Sequence, residues 1–211
     1  MIPAMSGPGL SGRRAQAARN DERILRSARA VFIADPGAPI TAVAKHAGVG
    51  ISALYSRYGS KEELLRTLCR DGLQVFVDIS DAALADERDP WTAFSEWMER
   101  LVDADTSSLT LALAGSFTPT PDMFALGDHA NELSKKVFAR VKSQLRPEIG
   151  VNDIGLVFEL VAAVGIGDEA RTRQLRHRYL AVILDGMRAT GFGKLPGSPP
   201  TWQELSLRWA P

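Results

Sequence analysis

Apolar residues recur along the chain at intervals of three and four, and this spacing predicts helices from one end to the other. Ile24, Leu25, Ala28, Val31 and Phe32 form one apolar stripe with arginines between them, a first helix that Asp35-Pro36-Gly37 stops. Thr41 then precedes a short apolar segment over 42–47, where it suits an N-cap, and Gly48 is the breaker that follows. A third helix covers Ile51–Tyr58. At Ser60-Lys61-Glu62-Glu63 the spacing S-x-x-E is a capping box, in which each side chain can satisfy the other residue's backbone N–H at a helix start. The long fourth helix that opens there carries Leu64, Leu65, Leu68, Leu73, Val75, Phe76 and Ile79 towards Leu84, far enough to join the N-terminal module to the rest.

Downstream, Asp89-Pro90 reads as an N-cap with proline in the first helical position, opening a helix with Trp91, Phe94, Trp97, Met98 and Leu101 on one face. Further helices are expected near 108–115, 121–145, 151–166 and 169–189, separated by Gly, Pro or polar breaks. From Gly191 the proline-rich tail reads as a linker, with a short helix near 202–209. Alternating β-branched runs with hairpin turns are lacking, so the expected class is all-α.

Composition narrows the function. Apolar residues are 45% and charged residues 24% of the 211, the balance of an ordinary globular chain. The formal net charge of zero conceals an asymmetry: residues 1–63 hold nine Lys/Arg against five Asp/Glu, net +4, and the remainder holds sixteen against twenty, net −4. A basic first module fits a polyanionic partner for that module only. The single Cys69 cannot form an intramolecular disulfide, and no Cys/His cluster has metal-ligand spacing, so a reducing compartment, the cytoplasm, is expected and no cofactor is implied. The opening MIPAMSGPGLSGRR has no continuous apolar core and reads as a flexible arm rather than a secretory signal. The most apolar stretch, 154–166, is short and contains Glu159, so no membrane span is expected.

Two short helices joined by a Gly-containing turn, 41–47 and Ile51–Tyr58, make a helix-turn-helix candidate with small Ala44, Ala47 and Gly48 at the crossing and Val43, Val49 and Leu54 facing inward. The run ITAVAKHAGVGISALYSRYGSKEELL, 40–65, closely resembles the DNA-binding segment of the TetR family of transcriptional regulators. That segment has a Thr-capped helix, an A-G-V turn, an L-Y-x-x-aromatic recognition helix and then S-K-E-x-L-L. The resemblance implies a flexible basic arm over 1–19, a three-helix DNA-binding domain over 20–66, a helical ligand-sensing and dimerisation domain over 67–190, and a C-terminal tail over 191–211. It also implies a homodimer on double-stranded operator DNA, with repression as the family default.

Carried over by position, Thr41, Tyr55 and Lys61 are expected to grip the phosphate backbone, contacts that position without specifying. Base readout falls to the exposed face of the recognition helix: Ile51, Ser52, Ala53, Ser56 and Arg57, the last either forked onto guanine or gripping phosphate. The chain departs from the family pattern at Gly50, where a Ser commonly caps the recognition helix, and at Tyr58, where a Phe is usual. Arg13, Arg14 and Arg19 would either follow a groove or form a solvated tail.

In the body, the resemblance puts the dimer interface on helices near 151–166 and 169–189. Gly155, Phe158, Ala162 and Gly165 with Tyr179, Ala181, Val182 and Gly186 suit close packing there, the alternative being an intrasubunit core. A pocket for a small apolar or amphipathic effector would draw on Trp91, Phe94, Trp97, Met98, Phe117, Met123, Phe124 and His129, although His129 reads first as a surface residue. A body that docks a protein partner instead is the alternative, and the Trp-rich tail would suit it. No nucleophile elbow, P-loop, H-E-x-x-H or dinucleotide fingerprint occurs, so enzymatic function is not expected.

Overall fold

The computed structural model describes the backbone of residues 9–188, the side chains from Arg19 onward, and in the tail Leu195 and residues 200–203. Within them lie nine α-helices and no β-strand. The chain divides into two compact units, Met1–Leu68 and Cys69–Pro211.

The first unit contains α1 (Gly9–Ala34), α2 (Ile40–Ala47), α3 (Ile51–Tyr58) and the opening of α4 (Lys61–Ala85). α1 packs on α2 and α2 on α3, burying Ile24, Ala28, Phe32, Val43, Leu54 and Leu64. α1 starts well before the apolar stripe. The backbone is helical from Gly9, within the stretch expected to be a flexible arm, where Arg, Ala and Gln are good helix formers. Residues 1–8 and the side chains of Arg13 and Arg14 lie outside the described residues.

α2 also begins earlier than its sequence suggests. Pro39 occupies the N-cap with φ −72° and ψ 154°, and Thr41 is the second helical residue rather than the cap. Gly48 closes α2 in the left-handed region, φ 63° and ψ 37°, and its N–H bonds back to the carbonyls of Ala44 and Lys45; that backbone geometry favours glycine. Gly50 then caps α3 through its backbone oxygen alone, which accepts from the N–H groups of Ala53 and Leu54. At the head of α4, Ser60 Oγ accepts from the Glu63 N–H at 3.1 Å, the first half of the expected capping box.

The second unit contains the rest of α4, α5 (Pro90–Ala104), α6 (Thr106–Leu113), α7 (Pro121–Val141), a 3-10 turn over 142–144, α8 (Val151–Ala162) and α9 (Glu169–Met187). Asp89 caps α5 by accepting from the Thr92 N–H, with Pro90 in the first turn, as the sequence predicts. One core runs through Phe94, Trp97, Met98, Leu101, Val141, Phe158 and Leu180. Trp97 sits at its centre, 1% exposed and edge-on to Phe76 and Phe158. Arg140 of α7 donates to the carbonyls of Ala83, Leu84 and Asp86, so it satisfies the C-terminal end of α4.

α6 and α8 are displaced from their predicted limits. α6 starts at Thr106 after Asp105, whose left-handed φ of 50° turns the chain out of α5. α8 stops at Ala162 rather than continuing to Ile166, because Arg176 of α9 reaches back and donates to the carbonyls of Ala162 at 2.8 Å and Val164 at 3.0 Å. The same guanidinium pairs with Asp105 at 2.7 Å, tying the α5–α6 turn to the α8–α9 turn. The expected helix near 202–209 lies largely outside the described residues.

Candidate nucleic-acid interface and body cavity

α3 is amphipathic across a sharp divide. Leu54 and Tyr58 face inward, 0% and 6% exposed, while Ser52, Ala53, Tyr55, Ser56 and Arg57 are open to solvent and Ile51 is half-buried at the helix start. Two apolar anchors four residues apart fix the rotation of so short a helix, and everything between them is left outward. The five residues expected to face DNA, apart from Ile51 at the edge, therefore share one exposed face with the Tyr55 ring.

Arg57 does not hang free on that face. Its Nη2 lies 2.7 Å from Asp21 Oδ2 and its Nε donates to Asp21 Oδ1 at 2.9 Å, a two-pronged clamp onto α1. The Asp21 carboxylate, by hydrogen bond and then by charge, raises the Arg57 pKa above its ordinary value. Lys61, first residue of α4, is half-buried: its ammonium donates to the Pro36 carbonyl at 3.2 Å and lies 5.2 Å from the centre of the Phe32 ring. Thr41 is exposed at the start of α2. Sequence reasoning missed Asp21, which stands 36 positions from its partner and carries no local signal.

Within the second unit lies a cavity of about 340 Å³, in the range of about 300–1,000 Å³ typical of small-molecule sites. Of the residues expected to form a pocket, Trp97, Met123 and Phe124 line it. Phe94 and Met98 do not; they are sealed in the core at 1% and 0% exposure. Trp91 packs on the core edge beneath Arg188, whose guanidinium is 4.3 Å from the ring centre, Phe117 is half-buried away from the lining, and His129 is exposed on α7. The rest of the wall includes residues that the sequence did not assign to a pocket, among them Phe76 of α4, Thr106 and Thr110 of α6, Asn131 of α7, and Asn152, Phe158 and Glu159 of α8. The tail adds Trp202, next to a stretch that Asn152 holds by donating to the Pro200 carbonyl at 2.7 Å.

On α8, α9 and the turn between them a second surface is open. Leu160, Ile166, Tyr179 and Val182 are 66%, 62%, 47% and 62% exposed. Tyr179, Val182 and Gly186 recur at helical spacing along one side of α9, with Ala181 exposed beside them. Of the small and large residues expected to pack with them, Phe158 is buried in the core and Gly155 lines the cavity, so α8 divides its apolar residues between inside and outside. No described helix is long and apolar enough to cross a membrane.

A family model described as bacterial regulatory proteins, tetR family, matches residues 24–68, the stretch from α1 to the opening of α4. No curated protein matches the chain. Among solved structures, LfrR from Mycobacterium smegmatis, a TetR-like transcriptional regulator in complex with proflavine, is 21% identical with a TM-score of 0.62 over 84% of this chain and 99% of its own. A TetR transcription regulatory protein from Mycobacterium vanbaalenii is 25% identical, TM-score 0.53, over 83% and 98%. The TetR regulator SCO0520 from Streptomyces coelicolor is 23% identical, TM-score 0.55, over 81% and 99%. Residues 24–68 are thus similar to the DNA-binding segment of the tetR family of bacterial regulatory proteins, and the chain shares the all-helical fold of TetR-like regulators.

Proposed function

We propose that this protein is a homodimeric repressor that binds a palindromic operator and leaves it when a small apolar or amphipathic molecule fills the body cavity. The observation that carries the DNA half is the exposed face of α3, whose side chains are held outward by buried Leu54 and Tyr58. Tyr55, Thr41 and Lys61 grip the sugar-phosphate backbone, and Ser52, Ala53, Ile51 and Ser56 meet base edges. Arg57 serves phosphate.

Dimerisation is supported by the apolar surface of α8, α9 and the turn between them, since large exposed residues at Leu160, Ile166, Tyr179 and Val182 are costly in a lone protomer and natural in an isologous contact. Two recognition helices related by a two-fold axis read two half-sites, which is why the operator is a palindrome. Effector control is supported by the cavity, and LfrR, of the same fold, is a complex with a small molecule. The effector biases the equilibrium between two dimer forms by its differential affinity, and α4, which contributes residues to both units, transmits the bias.

Selection of bound sequences from a random duplex pool tests the reading. A palindromic consensus should emerge, and its affinity should fall when hydrophobic small molecules are added. Binding with no preference among duplexes at moderate salt would remove the proposal.

A further inference from the structure

The C-terminal tail is tied back onto the wall of the body cavity. At the end of α9 the Arg146 N–H donates to the Met187 carbonyl at 3.0 Å and Leu145 pairs with Arg188, so the chain leaves α9 close to the turn that leads into α8. At the head of α8, Asn152, itself a wall residue, donates to the Pro200 carbonyl at 2.7 Å. Two residues further on, Trp202 joins the wall. It is 42% exposed, so more than half of its surface is covered. Leu111 and Phe124, also on the wall, are 36% and 49% exposed, so the cavity reaches solvent.

An indole ring seated on an open apolar cavity takes its own surface and part of the wall out of water, which favours the seated position. Pro200, with φ fixed by its ring, lowers the chain entropy lost when the segment settles there. The cavity keeps its volume of about 340 Å³ with Trp202 in place, so the ring roofs the space and does not plug it. Resting on the effector-cavity reading above, we infer that residues 200–203 form a lid on the effector cavity. Trp202 closes over a bound molecule and lifts for it to enter or leave, and Asn152 is the latch.

Stopped-flow mixing of the full chain, without DNA, with Nile red, a neutral dye that brightens in apolar sites, reads association and dissociation separately. Trp202→Ala is expected to speed dissociation by about tenfold or more, because the roof and its contact with the dye are lost together. Association should speed up less, so that affinity falls by about threefold or more. A chain ending at Pro199 should behave alike. Asn152→Asp removes the donor to Pro200 and places a carboxylate in the first turn of α8, where the helix dipole favours it, so it should speed dissociation by a smaller factor. A segment that merely braced α8 would lower the melting midpoint by circular dichroism and leave both rates alone. Rates within about twofold of the unaltered protein in Trp202→Ala and in the shortened chain overturn the lid and leave the effector cavity standing. Tighter binding in either variant also overturns it, since the ring would then occupy the site and not cover it. If Nile red binds none of these proteins, the effector-cavity reading fails and the lid with it.

Discussion

Arg57 of the recognition helix is clamped by Asp21 of α1, with contacts of 2.7 and 2.9 Å between guanidinium and carboxylate. A cation on the exposed face of α3 is thus neutralised from within its own unit, and any phosphate that approaches it must compete with Asp21. Asp21→Ala should release Arg57 and also remove a negative charge near the backbone. The expected result is tighter binding to all duplexes by about threefold or more, with the slope of log K against log salt steeper by about one. Anisotropy titrations over a salt series measure both, and an unchanged slope would mean that Arg57 serves no phosphate.

Contacts that position and contacts that specify should separate. Tyr55→Phe, which removes only the hydroxyl, and Lys61→Ala should weaken binding by similar factors on a preferred and a scrambled duplex. Changes at Ser52 or Ala53 should instead alter which duplex is preferred, each discriminating contact being worth about 1–3 kcal/mol. Competition titrations with single-base operator variants decide between these patterns.

Gly50 leaves room for a better cap. Its φ of −67° and ψ of 140° suit any residue, and a Cβ there would meet nothing within 4 Å. Gly50→Ser should stabilise the first unit by about 0.5 kcal/mol, through a side-chain cap on α3 and a less flexible unfolded chain. Thermal unfolding reads the gain, and a lower midpoint would count against this account of the turn.

The apolar surface of α8 and α9 should hold the dimer. Val182→Glu or Leu160→Glu, at positions 62% and 66% exposed, should leave the protomer fold intact by circular dichroism. Each charge would be desolvated in an interface, so sedimentation should show monomers and operator affinity should fall steeply. A variant that remains dimeric would place the interface elsewhere.

Ser80 supports the centre of the second core. Its hydroxyl accepts from the Trp97 indole N–H at 2.9 Å and donates to the Phe76 carbonyl at 2.8 Å, and Ser80 itself is fully buried. Ser80→Ala strands the indole N–H and should cost about 1–3 kcal/mol, whereas Trp97→Ala leaves a large void and should cost about 3–5 kcal/mol. Urea unfolding of both variants ranks them, and a smaller loss for Trp97→Ala would contradict this order.

The sequence by itself determined the helical class, the bounds of α3, the proline-led start of α5 and which face of α3 is turned outward. Each follows from local rules: periodicity at three and four residues, breakers such as Gly48, and caps such as Asp89, all acting within a turn or two of helix. Only the tertiary structure decided which aromatic residues line the cavity. Phe94, Trp97 and Met98 share a helix and a buried face, yet Trp97 alone borders empty space, because that depends on α6, α7 and α8 arriving from the other side. It likewise decided where α8 ends, through Arg176 of α9, and what Arg57 touches, through Asp21 of α1. Partners this far apart in the chain leave no periodic trace, since their contact is fixed by packing of whole helices and not by any preference of the neighbouring residues.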